Sequence, residues 1–148
     1  MKRRKAREYA LQFLYRIDFI KVSTGNNNRA KNLSGIKNNL EVFWADTDEK
    51  DSDTKAFAED IISGTIENLK EIDPLIQKVA KKWKISRMAS IDRNILRFAT
   101  YELLFRKDIP NAVTINEALE IAKKYSTSES AAFINGILDK IAKEYCQK

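Results

Sequence analysis

Residues 91–106 read IDRNILRFATYELLFR, and their spacing decides the fold class. Ile95, Phe98, Ala99 and Leu103 recur three and four residues apart, and Leu96 and Leu104 widen the stripe. That is the period of an α-helix with one face in a core, not the alternation of a strand. Ser90 stands in front of the run as a candidate N-cap, and Asp108-Ile109-Pro110 breaks it. No other segment is as apolar, so this is expected to be the central helix.

The pattern continues on both sides. Downstream, Thr114-x-x-Glu117 reads as a capping box opening a helix to about Tyr125. A last helix follows, about Glu129 to Tyr145, with Ile134, Ile137, Leu138 and Ile141 inward. Upstream, Asp73-Pro74 reads as a stop for a helix over about 54–72, with Phe57, Ile61, Thr65, Leu69 and Ile72 inward. The same pair would cap and start the next helix, which carries Leu75, Val79 and Trp83. A shorter helix over about 36–45 uses Ile36, Leu40 and Phe43, and the acidic DTDEKDSD (46–53) is a linker. STGNNNRAKNLSG (23–35) is a polar loop without periodicity. Residues 3–21 form an amphipathic helix with Ala6, Ala10, Phe13, Leu14, Ile17 and Ile20 on the core face. Arg4, Arg7, Leu11 and Tyr15 then fall on a second stripe, beside the core rather than in it, and Lys5, Gln12 and Arg16 lie outside. With no strand or hairpin signal, the expected fold is all-α, about seven helices in a single domain over residues 1–148.

Composition agrees and removes most chemistry. The 148 residues include four Gly and two Pro, which favours helix. No apolar run approaches the ~20 residues that cross a bilayer. Gln12, Arg16 and Asp18 interrupt any signal-peptide core, and Glu8 and Asp18 speak against a transit peptide, so a cytoplasmic protein is expected. There is no His, and Cys146 is the single cysteine. Disulfides, Cys/His zinc sites and His-based triads within one chain are thereby excluded, and no glycine-rich cofactor or phosphate loop occurs. No catalytic residue, metal site or cofactor is expected.

Charge is segregated. The net +6 gathers seven cations against two acids in the first 21 residues, eleven acids against three cations over 41–73, and nine cations against two acids over 78–107. Such poles suit a polyanion, or else merely solvate successive helices. Five of the first seven residues are Lys or Arg, a sign the helix macrodipole disfavours at an N-terminus. In the last helix, Phe133 projects about 80° from the centre of the apolar stripe, beside Gly136 and Lys140. It is either the edge of the core, with Gly136 permitting a close helix contact, or an aromatic presented for a base to stack on.

RRKAREYALQFLY (3–15), ILRFATYELLF (95–105), IPNAVTINEALEIAKKY (109–125) and FINGILDK (133–140), in this order, resemble the NusB family of bacterial transcription antitermination factors. The resemblance spans the chain except for about 23–52. It implies two small helical bundles sharing one core, here about 1–82 and 83–148, with no catalytic activity. It implies binding to single-stranded boxA RNA of nascent ribosomal RNA leaders together with NusE, a small-subunit ribosomal protein. The pair would join the RNA polymerase elongation complex and suppress premature termination. By the same resemblance, Arg3, Arg4, Lys5 and Arg7 carry RNA contacts, and Phe133 lies at the RNA surface. Tyr15 and Asp92 map near the NusE contact. Before Phe133, TSESAA (127–132) lacks the Gly and Lys of the commoner family pattern. Family members occur as monomers and as homodimers. A similar domain also precedes ribosomal RNA cytosine methyltransferases, but here the chain ends at Lys148 without a cofactor domain, which favours a stand-alone factor. A helical protein-interaction module, its basic helix only solvated, is the remaining alternative.

Overall fold

The structure is a computed structural model that describes residues 2–24 and 33–147. Among these residues there are seven α-helices and no strand: α1 Lys2–Thr24, α2 Leu33–Ala45, α3 Ser52–Glu67, α4 Leu69–Ala80, α5 Ser90–Phe105, α6 Asn111–Tyr125 and α7 Ser128–Tyr145. A short 3-10 turn, Ile85–Arg87, lies between α4 and α5. The centre of the Asn-rich stretch, 25–32, and the side chain of Ile20 lie outside the described residues.

The chain divides into two compact units, Met1–Glu67 and Asn68–Lys148. The sequence places this boundary near residue 82; α4 instead goes with the second unit, because it packs on α5 and α7.

In the first unit α1 packs along α3. Ala6, Ala10, Phe13 and Leu14 are buried, as are Ile36, Leu40 and Phe43 of α2 and Ala58, Ile61 and Ile62 of α3. Phe13 meets Phe43 edge to face at 5.5 Å, which seats α2 on α1. The second stripe of α1 departs from the sequence reading. Arg7 is only 2% exposed and Leu11 is buried with it, whereas Tyr15 stays 45% exposed. The cause is Phe57 of α3, whose ring receives the Arg7 guanidinium at 5.2 Å and so lets a cation enter the core edge.

In the second unit α5 is central, with α4, α6 and α7 packed against it and Ile95, Leu96, Phe98, Ala99 and Leu103 buried. Asp73-Pro74 does not separate two helices. The break falls at Asn68 (φ −109°, ψ 14°), whose carbonyl accepts from the N–H groups of Glu71 and Ile72 as the first acceptor of α4. Pro74 is then inside α4, and Asp73 caps nothing. Its carboxylate instead takes both Arg97 Nε and an Arg97 terminal nitrogen at 2.9 Å, a bidentate pair that ties α4 to α5.

Thr114 is likewise not a cap. The helix α6 begins after Pro110, and buried Thr114 donates its hydroxyl to buried Glu102 of α5 at 3.0 Å. Ser90 lies in the first turn of α5, where its carbonyl and hydroxyl oxygens accept from Asn94 Nδ2.

Candidate nucleic-acid interface

The basic start of α1 carries no acid in its first turn. Its cations occupy two faces. Arg3 and Arg7, one turn apart, both rest on Phe57, with guanidinium carbons 4.6 and 5.2 Å from the ring centroid. Arg3 remains exposed and Arg4 is half-buried. The other face meets the acidic linker. Lys2 pairs with Asp51 and Lys5 with Glu49, each at 3.3 Å, and Arg16 reaches Asp46 at 4.0 Å. Tyr9 donates its hydroxyl to the same Glu49 at 3.1 Å.

The linker is held in this position from its own side. Asp51 accepts from the Thr54 N–H and hydroxyl at 2.9 and 2.8 Å, capping α3, and its own N–H donates to Glu49. The Asp51 N–H, then Lys5 and Tyr9, hold the Glu49 carboxyl below its ordinary range. The Thr54 hydroxyl, then its N–H, does the same for Asp51. Glu49, by its hydrogen bond and then its charge, raises Lys5; burial, then Glu49, raises Tyr9.

The second unit holds an open cleft of about 420 Å³. Trp83 and Phe133 line it with rings edge to face, centroids 5.7 Å apart and planes at 78°. The sequence reading puts Trp83 on one helix with Leu75 and Val79, yet it lies beyond the end of α4 and is 61% exposed. The reason is Lys81, which at φ 49° takes a left-handed turn, ends α4 and directs the chain outward. Ile72, Ile76 and Ala80 make the buried face of α4 instead, and Leu75 and Val79 are half-buried.

That turn is fastened on both sides. Gln77 Nε2 donates to the Trp83 carbonyl at 3.0 Å, and Gln77 Oε1 accepts from the Ile85 N–H at 2.9 Å. Arg93 donates to the carbonyls of Ile85 and Met88, each at 3.2 Å. The tryptophan is therefore presented by a built turn, in a run reading KKWK (81–84).

Asp92, in the first turn of α5, also lines the cleft and is 9% exposed. Its Oδ2 accepts from the Ser130 hydroxyl at 2.9 Å, and the Ser130 N–H donates to the Thr127 hydroxyl that caps α7. A carboxylate at the start of a helix has the sign the dipole prefers, which offsets part of its burial. Gly136, one turn beyond Phe133, is exposed, and a Cβ there would meet nothing within 4 Å. It does not serve a close helix contact among the described residues.

Of the residues singled out from sequence, the structure brings Asp92 and half-buried Phe133 to one cleft, and places Arg3, Arg4, Lys5, Arg7 and Tyr15 along α1 of the other unit. The sequence reading missed Trp83, for which cations on both sides of an aromatic were the available signal. It also missed Gln77, Ser130 and Glu49, which act through contacts distant in sequence. Among the described residues no group of acids or thiols could hold a metal ion, and no helix is long and apolar enough to cross a membrane.

The family model described as NusB family matches residues 4–143. Transcription antitermination protein NusB of Thermodesulfovibrio yellowstonii is 58% identical over 145 residues, covering 97% of this chain and 93% of that protein. A solved structure of NusB from T. maritima is 41% identical, covers 98% of this chain and 93% of that one, and superposes with a TM-score of 0.79. A crystal structure of antitermination factors NusB and NusE in complex with dsRNA contains a chain 26% identical to this one, with a TM-score of 0.80 and coverage of 97% and 98%.

Proposed function

Because this chain belongs to the NusB family, we propose that it is an RNA-binding transcription antitermination factor, acting in the cytoplasm by binding and not by catalysis. With NusE it binds boxA RNA of nascent ribosomal leaders, and the complex joins elongating RNA polymerase to suppress premature termination. The observation that carries this reading is the likeness, over nearly the whole chain, to the factor crystallised with NusE and dsRNA.

The residues support RNA binding in two places. Exposed Arg3 and Lys5, with half-buried Arg4, offer phosphate partners on α1. Arg7 supports them from beneath: its guanidinium shares the Phe57 ring with Arg3 and is too buried to reach far. In the other unit, Phe133 and the Trp83 ring against it offer faces on which unpaired bases stack, which favours single-stranded RNA over a duplex. Tyr15, exposed further along α1, is the residue we assign to the NusE contact.

The test is an anisotropy titration of a boxA strand, a scrambled strand and a boxA duplex, each with and without NusE. The reading expects the boxA single strand to bind tightest and NusE to tighten it further, with Arg3→Ala and Phe133→Ala each weakening the complex. Equal binding of all three RNAs, unaffected by NusE, would refute it.

A further inference from the structure

The cleft of the second unit is lined by a carboxylate with an unused acceptor. Asp92 is nine-tenths buried, and only one of its carboxylate oxygens is used. Oδ1 is buried and accepts no hydrogen bond among the described residues. A buried acceptor without a donor carries an uncompensated desolvation cost. Such a cost persists where a partner supplies the missing donor. The walls beside it are Trp83, Phe133 and Met88, so the ligand has apolar faces and a polar edge.

Charge says which class of ligand this is. Lys81, Lys82, Lys84 and Arg87, on either side of Trp83 in sequence, are all exposed. A lone carboxylate could equally take an arginine or lysine of a protein, and Glu129 also lines the cleft, but the four exposed cations that flank Trp83 along the chain oppose a basic peptide and attract a polyanion. A flat, partly apolar group with donors on its edge, carried on a polyanion, is a nucleobase in an unpaired strand.

The chemistry of the carboxylate narrows the base. Guanine presents N1–H and N2–H side by side, two donors that match two carboxylate oxygens. Adenine and cytosine each present an amino donor beside a ring nitrogen whose lone pair faces the second oxygen. Uracil presents one N–H between two carbonyls. Oδ2 has a lone pair left beyond the Ser130 bond, since each carboxylate oxygen accepts twice. The terminal torsion of Asp92 is soft, so the carboxylate can turn Oδ1 toward the cleft.

We propose that the Trp83–Phe133 cleft is a guanine pocket: one unpaired guanine packs against the two rings, and Asp92 reads its N1–H and N2–H. Gln77 and Arg93 are positioning residues, which hold the turn that presents Trp83. The proposal rests on the RNA-binding function above and adds to it a base, a reader and a second stacking ring.

The test uses the full chain and labelled twelve-nucleotide oligouridine strands carrying one central guanine, inosine, adenine or cytosine. Inosine keeps N1–H and lacks the N2 amino group, so it probes the pocket without altering the protein. The guanine strand is expected to bind about ten-fold tighter than the others, the scale of one good bidentate base contact. Asp92→Asn should erase that preference while strand binding persists, with circular dichroism confirming the helices. Trp83→Ala should weaken all four strands alike, by about ten-fold. Equal wild-type binding of the guanine and inosine strands would overturn the pocket. So would an Asp92→Asn protein that keeps the guanine preference, or one that loses only NusE binding and so marks Asp92 as a protein contact. If the wild-type chain bound none of the four strands but did bind boxA RNA, the pocket would fall and the antitermination reading would stand. Failure on boxA as well would remove both.

Discussion

Substituting Gly136 by Ala separates stability from binding. In the middle of α7 a glycine costs about 1 kcal/mol against alanine, because its backbone loses more freedom on folding. The added Cβ would meet nothing within 4 Å, so no steric term opposes the gain. The substitution should therefore stabilise the free protein by about 1 kcal/mol, raising the melting temperature by about 2–4 °C for a chain of this size. RNA binding should move the other way. Gly136 is exposed one turn from Phe133, and a strand lying on that ring as proposed would pass over it. A methyl group wedged into such a contact costs at least about 1 kcal/mol, roughly a five-fold loss of affinity. Calorimetry without RNA and anisotropy with a boxA strand read the two effects. A lowered melting temperature would mean that the glycine serves an internal contact. A raised one with unchanged affinity would mean that RNA does not cover this turn of α7.

Three further substitutions or conditions test the rest of the framework. Arg7→Ala should cost about 1–3 kcal/mol in urea unfolding, whereas Arg3→Ala should leave stability nearly unchanged and weaken RNA binding; the reverse pattern would contradict the burial of Arg7 against Phe57. Thr114→Val removes the hydroxyl bonded to buried Glu102 and should cost about 1.5–3 kcal/mol, as loss of a hydrogen bond to a buried acid does, with Thr114→Ser restoring most of it. Folding lowers the Glu49 and Asp51 carboxyls below their ordinary values, so the stability they contribute is present above pH about 4 and is lost as acid protonates the folded state. Thermal melts from pH 7 down to pH 3 should show that loss in wild type and a smaller one in the Glu49→Gln, Asp51→Asn double variant.

The helices were legible because each buries one face, and a period of three to four apolar residues records that directly in the chain. What was not legible depends on partners brought in from elsewhere. The break at Asn68 is quiet in sequence beside Asp73-Pro74, and only the Arg97 fork shows why Asp73 belongs inside a helix. Helical phasing put Arg7 beside the core, but Phe57 from α3 makes an arginine compatible with burial. Trp83 looked like the next apolar step of α4 until Lys81 ended the helix one turn early. At the cleft, the position of Phe133 followed from phase alone. The half-used carboxylate did not, because Asp92 and Ser130 meet across 38 positions of sequence.

The acidic linker laid along α1 makes the protein its own ion exchanger. Lys2, Lys5 and Arg16 are each paired with a carboxylate that is covalently part of the chain. A phosphate that takes one of these cations liberates a small cation from the RNA, but the displaced carboxylate recaptures one from solution. The entropy that drives ordinary polyanion binding is thus partly returned. Binding through this face gains less from dilution of salt than a count of its lysines and arginines would suggest. It also discriminates, since a passing polyanion must outcompete tethered acids at several points in register, and only a strand held elsewhere on the molecule stays long enough to do so.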